Sequence, residues 1–192
     1  MEIASLDDVI ADIAARLTDA AQNRRSPMHV PAVASANAEV RTMVLRDFDA
    51  EAMTLRFHSD VRSPKIAAFE ADPRAGVLLY DKDAKVQLRV RGTARIERDG
   101  PTAAASWATG NNFARRCYLA PVPPGTEVDG PSPNLPEDVR DEQPSDERLE
   151  AEARENFCVL IVDIAEVDWL YLAHDGHRRA VWDGTDARWL AV

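Results

Sequence analysis

Cysteine is scarce in this chain. Cys117 and Cys158 are the only two among 192 residues, and they lie far apart without metal-ligand spacing. They read as buried or partly buried thiols. Histidine is almost as rare: His29, His58, His174 and His177 are scattered, and none forms an HxxxH or HExxH pair, so no metal constellation is visible. There is no glycine-rich phosphate loop, which excludes P-loop and dinucleotide-fold chemistry, and no G-x-S-x-G elbow, which leaves a nucleophile-plus-base enzyme without support. No stretch approaches the roughly 18 apolar residues of a spanning helix. The N-terminus lacks a basic region followed by an apolar run, so no secretory signal is expected, and a cytoplasmic location is.

What the chain has is ordinary in amount and uneven in placement. A hydrophobic content of 45% and a charged content of 29% suit a globular domain, and the length suits a single one spanning 1–192. The formal charge of −10 argues against nucleic-acid and anionic-membrane partners. The acids concentrate between Glu127 and Glu155, whereas Arg41 to Arg98 is rich in Arg and Lys.

Apolar spacing places a packing helix over 5–21, with Ser5 as N-cap, Asp7 and Asp8 in the first turn, and a stripe of Leu6, Ile10, Ile13, Ala14 and Leu17. Strands are expected over 28–35, 38–47 and 52–58, the last two as a hairpin. A helix follows from Pro64, a residue suited to a first turn, to about Glu70. Strands over 74–80 and 84–97 come next. Residues 102–119 read as helical in two pieces, broken at Gly110-Asn111-Asn112. From about 120 to 145, seven prolines and many acids make a segment expected to form no core, a long surface loop that is mobile or laid across a partner. After a short helix over 146–155, strands over 157–162, 166–172, 177–182 and 188–192 complete a mainly β chain with flanking helices. Seven or eight antiparallel strands fit a closed or nearly closed barrel.

The residues with chemistry lie in the central stretch. Arg41, Arg46, Arg62 and Lys65, with hydroxyls from Ser59 and Ser63, have the composition of a phosphate site; solvated strand-edge charges are the other reading. Arg89 and Arg91 alternate with Leu88 and Val90, as on any half-exposed strand.

The run Arg41-Thr-Met-Val-Leu-Arg46, then Phe57-His-Ser-Asp60, Arg62-Ser63, Lys65 and Gln87-x-x-x-x-Gly92, resembles the pyridoxamine 5′-phosphate oxidase family. The similarity runs from about Met28 to Leu119 and resumes from Phe157 to Trp189. It implies an antiparallel Greek-key split barrel that binds flavin mononucleotide (FMN). Arg41, Thr42, Met43, Val44, Leu45 and Arg46 would form the strand against the flavin, and His58 and Ser59 would lie beside the ring and phosphate. Arg62, Ser63 and Lys65 would hold the phosphate, and Gln87 would bond the polar edge of the ring. Trp169 and Arg179 would reach the flavin from the second subunit of a homodimer; core or interface packing is the other reading of Trp169.

Departures qualify what is inherited. Arg46 stands where the oxidase has a lysine for the substrate phosphate. Counting from Trp169, the oxidase's Arg-x-His pair falls on Asp175-Gly-His177, and its Tyr/Arg/Ser substrate set has no clear counterpart, although Arg115, Arg116 and Tyr118 lie nearby. The expectation is an FMN-dependent oxidoreductase of unknown substrate with no catalytic residue assigned. The alternatives are a non-catalytic flavin store or redox sensor, or a barrel for haem or a deazaflavin, with His58 or His177 as the available axial ligand.

Overall fold

The computed structural model describes residues 3–192. Helix α1, Leu6–Gln22, starts at a reciprocal cap: the Ser5 hydroxyl accepts from the Asp8 amide at 3.2 Å, and the Asp8 carboxylate accepts from the Ser5 amide at 2.8 Å. Its buried stripe is Val9, Ile13, Leu17 and Ala20. Ile10, expected inside, is 38% exposed, because the face that meets the sheet is turned one residue toward Val9.

Nine strands form one antiparallel sheet among the described residues: β1 Ala32–Ser35, β2 Val40–Thr42, β3 Leu45–Asp49, β4 Thr54–Asp60, β5 Arg74–Asp81, β6 Val86–Glu97, β7 Phe157–Tyr171, β8 Arg178–Trp182 and β9 Ala187–Leu190. The order is β2-β1-β5-β6-β7-β4-β3, with β8 on the far half of β7 and β9 beside it. Two further bonds, from the Met43 amide to Pro31 O at 3.0 Å and from the Leu45 amide to His29 O at 2.9 Å, draw the two ends of that order together. The sheet is thus curled into a half-barrel, with α1 packed against β3 and helices on its flanks. The expected strand over 38–47 divides at Met43–Val44, because its first part pairs with β1 and its second with β4.

The two strands expected over 157–162 and 166–172 are one. β7 is continuous, with Ala165 left out of register as a bulge: Gly92 pairs with Ile164, while Arg91 pairs with Glu166. Glycine is needed at 92, since a side-chain carbon there would lie 2.2 Å from Asp163 O. The first half of β7 is buried on both faces. Leu160 and Val162 point into the barrel; Val159 and Ile161 point out into a second core with Trp107, Tyr118 and Leu149. Helices α3 Pro101–Ala108, α4 Asn112–Arg115 and α5 Asp146–Glu152 surround that second core. Between β4 and β5 lies α2, Pro64–Ala71.

The proline-rich segment lies against its own chain. Val139 is 2% exposed in the second core, and Arg116 donates to the carbonyls of Val139 and Arg140 at 3.0 and 2.6 Å. This corrects the expectation that the segment contributes to no core: its exposed tip is polar, but its returning arm brings one valine inside. Among the described residues, no helix is long and apolar enough to cross a membrane, and no group of His, Cys, Asp and Glu is placed to hold a metal ion.

Candidate functional site

The strand β4 presents His58 outward and Ser59 toward the mouth of the half-barrel, because successive residues alternate faces. Three residues later the chain enters α2 with Ser63 as N-cap and Pro64 in the first turn. The Ser63 hydroxyl makes no capping bond to the helix. It accepts instead from Lys65 Nζ at 2.7 Å, and the same ammonium donates to Ser59 Oγ at 3.3 Å. Among the described residues Lys65 has no carboxylate partner. Burial lowers its pKa from the usual lysine value, and the nearby Arg41 guanidinium adds to the effect. Arg41 donates to Ser35 Oγ at 3.2 Å and pairs with Glu39 at 2.8 Å. The sequence-expected residues Arg41, Ser59, Ser63 and Lys65 therefore meet at one place, where two cations face three hydroxyls; among the described residues Glu39 pairs with Arg41, and Asp60, which lines the same cavity, is taken by Arg62. Half-burying an ammonium without a counter-ion is costly, and an anion placed there relieves it.

Arg62 is differently engaged. Its Nε and Nη2 donate to the two oxygens of Asp60 at 3.0 and 2.7 Å, and Nη2 also reaches Ala120 O at 3.1 Å. It joins the proline-rich segment to the start of α2 and has no free fork. In the first motif, Met43 and Leu45 are core side chains, Val44 is half-buried, and Thr42 and Arg46 are exposed.

His58 stands between two cavities. One, of about 400 Å³, also holds Ser59, Lys65, Pro124, Pro133, Asn134 and Leu135. The other, of about 470 Å³, is walled by Trp107, Phe157 and Tyr118, and by the arginines Arg24, Arg46, Arg56 and Arg115. Phe157 meets the His58 ring edge-on at 5.0 Å. Burial, aided by the Arg46 charge, lowers the His58 pKa to about 4, so the ring is neutral at physiological pH. Burial also raises the Tyr118 pKa, keeping its hydroxyl protonated. Arg56 is balanced by Asp47 at 2.7 Å and Asp49 at 3.3 Å. Arg115 pairs with Asp146 at 2.7 Å and bonds Asn112, yet its buried Nε has no partner. Among the described residues, Arg24 and Arg46 make no hydrogen bond or ion pair.

The remaining expected residues lie elsewhere on the sheet. Gln87 on β6 pairs in register with Leu170, which pairs with Arg179, so Gln87 and Arg179 share one outward row, about 10 Å apart at the usual strand spacing. Arg179 donates to both oxygens of Asp168 at 3.1 and 2.7 Å, and Arg89 bonds the same carboxylate. Burial alone would raise the Asp168 pKa, but the bonds from Arg179 and Arg89 outweigh it and hold the carboxyl below its ordinary value. Trp169 pairs with Ala180 and faces the opposite way. It is wholly buried, and its indole N–H donates to Asp12 on α1 at 2.7 Å. The expectation that Trp169 reaches a flavin in the partner subunit is corrected here in favour of core packing. Strand alternation sends Trp169 and Arg179 to opposite faces.

Sequence reasoning missed the walls. Arg24 lies in what reads as a helix-breaking turn, Trp107 reads as part of an undistinguished helix, and Asn134 and Leu135 lie in a segment without periodicity. Only the Arg115–Tyr118 neighbourhood carried a signal.

Residues 11–98 match the family model described as pyridoxamine 5′-phosphate oxidase, FMN-binding domain. No curated protein matches the sequence. Among solved structures, a pyridoxamine 5′-phosphate oxidase-related, FMN-binding protein from Nostoc punctiforme aligns over 100% of both chains, with 23% identity and a TM-score of 0.73. PhzG from Burkholderia lata, solved with tetrahydrophenazine-1-carboxylic acid, is 18% identical over 98% of this chain and 93% of its own, with a TM-score of 0.63. A Clostridium acetobutylicum protein related to general stress protein 26 aligns over 97% of this chain and 96% of its own, with 7% identity and a TM-score of 0.52. At these identities the likeness establishes the split-barrel fold.

Proposed function

Since residues 11–98 belong to the pyridoxamine 5′-phosphate oxidase FMN-binding domain family, we propose that this chain binds FMN and is an oxidoreductase acting on a ring-bearing anion. One observation supports this reading above the others: among the described residues, the Lys65 ammonium, half-buried beside Arg41, is bonded only to the hydroxyls of Ser59 and Ser63. That is the donor set a phosphate monoester needs, and FMN ends in one. When bound, FMN supplies the capacity to accept a hydride.

The chain's own residues supply position and charge. Lys65, Arg41, Ser59 and Ser63 hold the phosphate. His58, kept neutral, separates the Lys65 cavity from the arginine-lined one and can donate or accept a hydrogen bond without adding charge. Arg46 and Arg24, whose side chains have no hydrogen-bond or ion-pair partner among the described residues, meet the negative group of the substrate, while Trp107, Tyr118 and Phe157 wall its ring. Pyridoxamine 5′-phosphate is not the substrate proposed, because Asp175 stands where the oxidase's arginine would be. Two copies of the chain assemble through the outward sheet face, where Leu78 and Tyr80 are each 43% exposed beside the Gln87–Arg179 row.

The test is the absorption spectrum of the purified protein, with identification of any chromophore released on denaturation, followed by titration of free FMN. Flavin bands, release of FMN or quenching of its fluorescence are expected. A colourless protein that leaves FMN emission unchanged at high micromolar concentration refutes the reading.

A further inference from the structure

Among the described residues, His58 is the one imidazole on either of the two cavities that it separates. We propose that it couples the arginine-lined cavity to pH: a ring-bearing anion enters that cavity together with a proton, which is held on the His58 ring. This rests on the reading, given above, of that cavity as the site of the substrate's negative group.

The charges around the ring come from every element packed on it. β4 itself supplies Arg56 and Asp60, and β3 supplies Arg46 and Asp47. Arg24 lies just past α1, Arg115 on α4 and Lys65 on α2. Both carboxylates are engaged: Asp47 pairs with Arg56 and Asp60 with Arg62, each at 2.7 Å. Arg115 pairs with Asp146 at 2.7 Å. Arg24, Arg46 and Lys65 remain as cations without a carboxylate partner among the described residues. The turn after α4 adds Cys117 and Tyr118; desolvation raises the pKa of the thiol and of the hydroxyl, so both are neutral. β7 adds no charge. Its Phe157 meets the imidazole edge-on at 5.0 Å, and burial pushes the Cys158 thiol up to about 12.

In the chain alone, an imidazolium at position 58 would be half-buried among uncancelled cations, so the neutral ring is favoured. An anion on Arg46 and Arg24 reverses that balance. It removes a repulsion and adds an attraction, and an opposite charge at close range raises the proton affinity of an imidazole by roughly 10- to 1000-fold. Linkage is reciprocal, so the proton strengthens anion binding by the same factor. The balance is simple: the anion and one proton come from solvent, the guanidiniums stay as they are, and the imidazole becomes imidazolium. Arginines alone would bind the anion without regard to pH, because a guanidinium does not titrate in the physiological range. His58 is what makes the site sensitive to it.

The experiment uses the full chain and benzoate, which is ionised at every pH employed. Isothermal titration in two buffers of different ionisation enthalpy counts the protons taken up per benzoate bound. About half a proton or more is expected near pH 5.5 and almost none near pH 7.5, with affinity roughly fourfold higher at the lower pH. Lys65→Met removes the other anion cluster and should keep this uptake. Arg46→Met should weaken benzoate binding about tenfold at both pH values. In His58→Phe the ratio of the two affinities should fall to about one. Nuclear magnetic resonance of the wild-type imidazole, recognised by its contact with the Phe157 ring, gives a measure that needs no variant: His58 should titrate at higher pH with benzoate than without. Binding without proton uptake, an unmoved His58 titration, a folded His58→Phe that keeps the wild-type ratio, or uptake that vanishes in Lys65→Met overturns the inference and leaves the FMN reading standing. Failure to bind benzoate at either pH brings down the anion reading of the arginine cavity and this inference with it; a chain that binds benzoate with a proton but refuses FMN brings down only the flavin.

Discussion

Two clusters in this molecule each bring a pair of cations together and do opposite things. On the outward face, Arg89 and Arg179 converge on one carboxylate, Asp168, which is 3% exposed and bonded by both. At the mouth of the half-barrel, Lys65 and Arg41 converge on the hydroxyls of Ser35, Ser59 and Ser63, with no carboxylate on Lys65. The first cluster is closed: each of its guanidiniums has a carboxylate partner within the chain. The second is left open, and the missing negative charge distinguishes a binding site from a structural ion pair. Counting cations would rank the two alike.

The largest effect that separates them is on stability. Asp168→Asn leaves two guanidiniums converging on a group without charge. Removing one partner of a buried pair costs several kcal/mol, and the water retained by both arginines reduces this to about 3 kcal/mol. Urea unfolding should show a midpoint well below that of wild type at an unchanged slope. A midpoint within error of wild type would mean that the outward cluster is no more closed than the Lys65 one.

Lys65→Met makes the converse test. The ammonium has no counter-ion to strand, so unfolding stability should stay level or rise slightly, whereas FMN affinity should fall by roughly 10- to 100-fold, the worth of a charge-assisted bond to phosphate. Isothermal titration with FMN and urea unfolding on the same preparation decide it. Loss of stability with unchanged FMN affinity would make Lys65 a structural residue and remove the contrast.

The contrast also explains how much could be read in advance. The barrel was legible because β6 alternates apolar and polar residues, because β5 is a short apolar run ended by a turn, and because Phe157 to Val162 is an unbroken apolar run, as a strand buried on both faces must be. The meeting of Arg41 with Lys65 was legible as a motif, since its members lie within one stretch of 25 residues or so and each strand end is marked by a turn. Three things were not. The partner of each cation depends on register: Asp60 takes Arg62 and Asp168 takes Arg179, but nothing in their spacing says that Lys65 goes without. Trp169 and Arg179 fall on opposite faces only because β8 pairs as it does, Ala180 against Trp169. Asn134 lines the Lys65 cavity, held by side-chain bonds to Val122 that tie together two arms of a segment with no period to read.

His58, on the border of the open cluster, gives the third and smallest test. Its pKa falls from 6.5 to about 4 through burial and the unpaired Arg46 charge. The unfolded chain takes up a proton near pH 6.5, while the folded chain refuses one until about pH 4. The stability this provides is fully present above pH 6.5 and is lost as pH falls toward 4. About 2 kcal/mol is at stake after allowance for partial solvent contact. Carboxylates titrate in the same window, so the quantity to measure is a difference: the loss of unfolding free energy between pH 7 and pH 4.5 in wild-type protein, minus that in His58→Phe. A positive difference of that order is expected in the unliganded chain. It should shrink when an anion occupies the arginine cavity, because cancelling the Arg46 charge lets the imidazolium form at higher pH. Identical pH profiles for the two proteins would mean that His58 is solvated in the folded state, and that the border between the two cavities is not the dry, uncancelled place the charges around it describe.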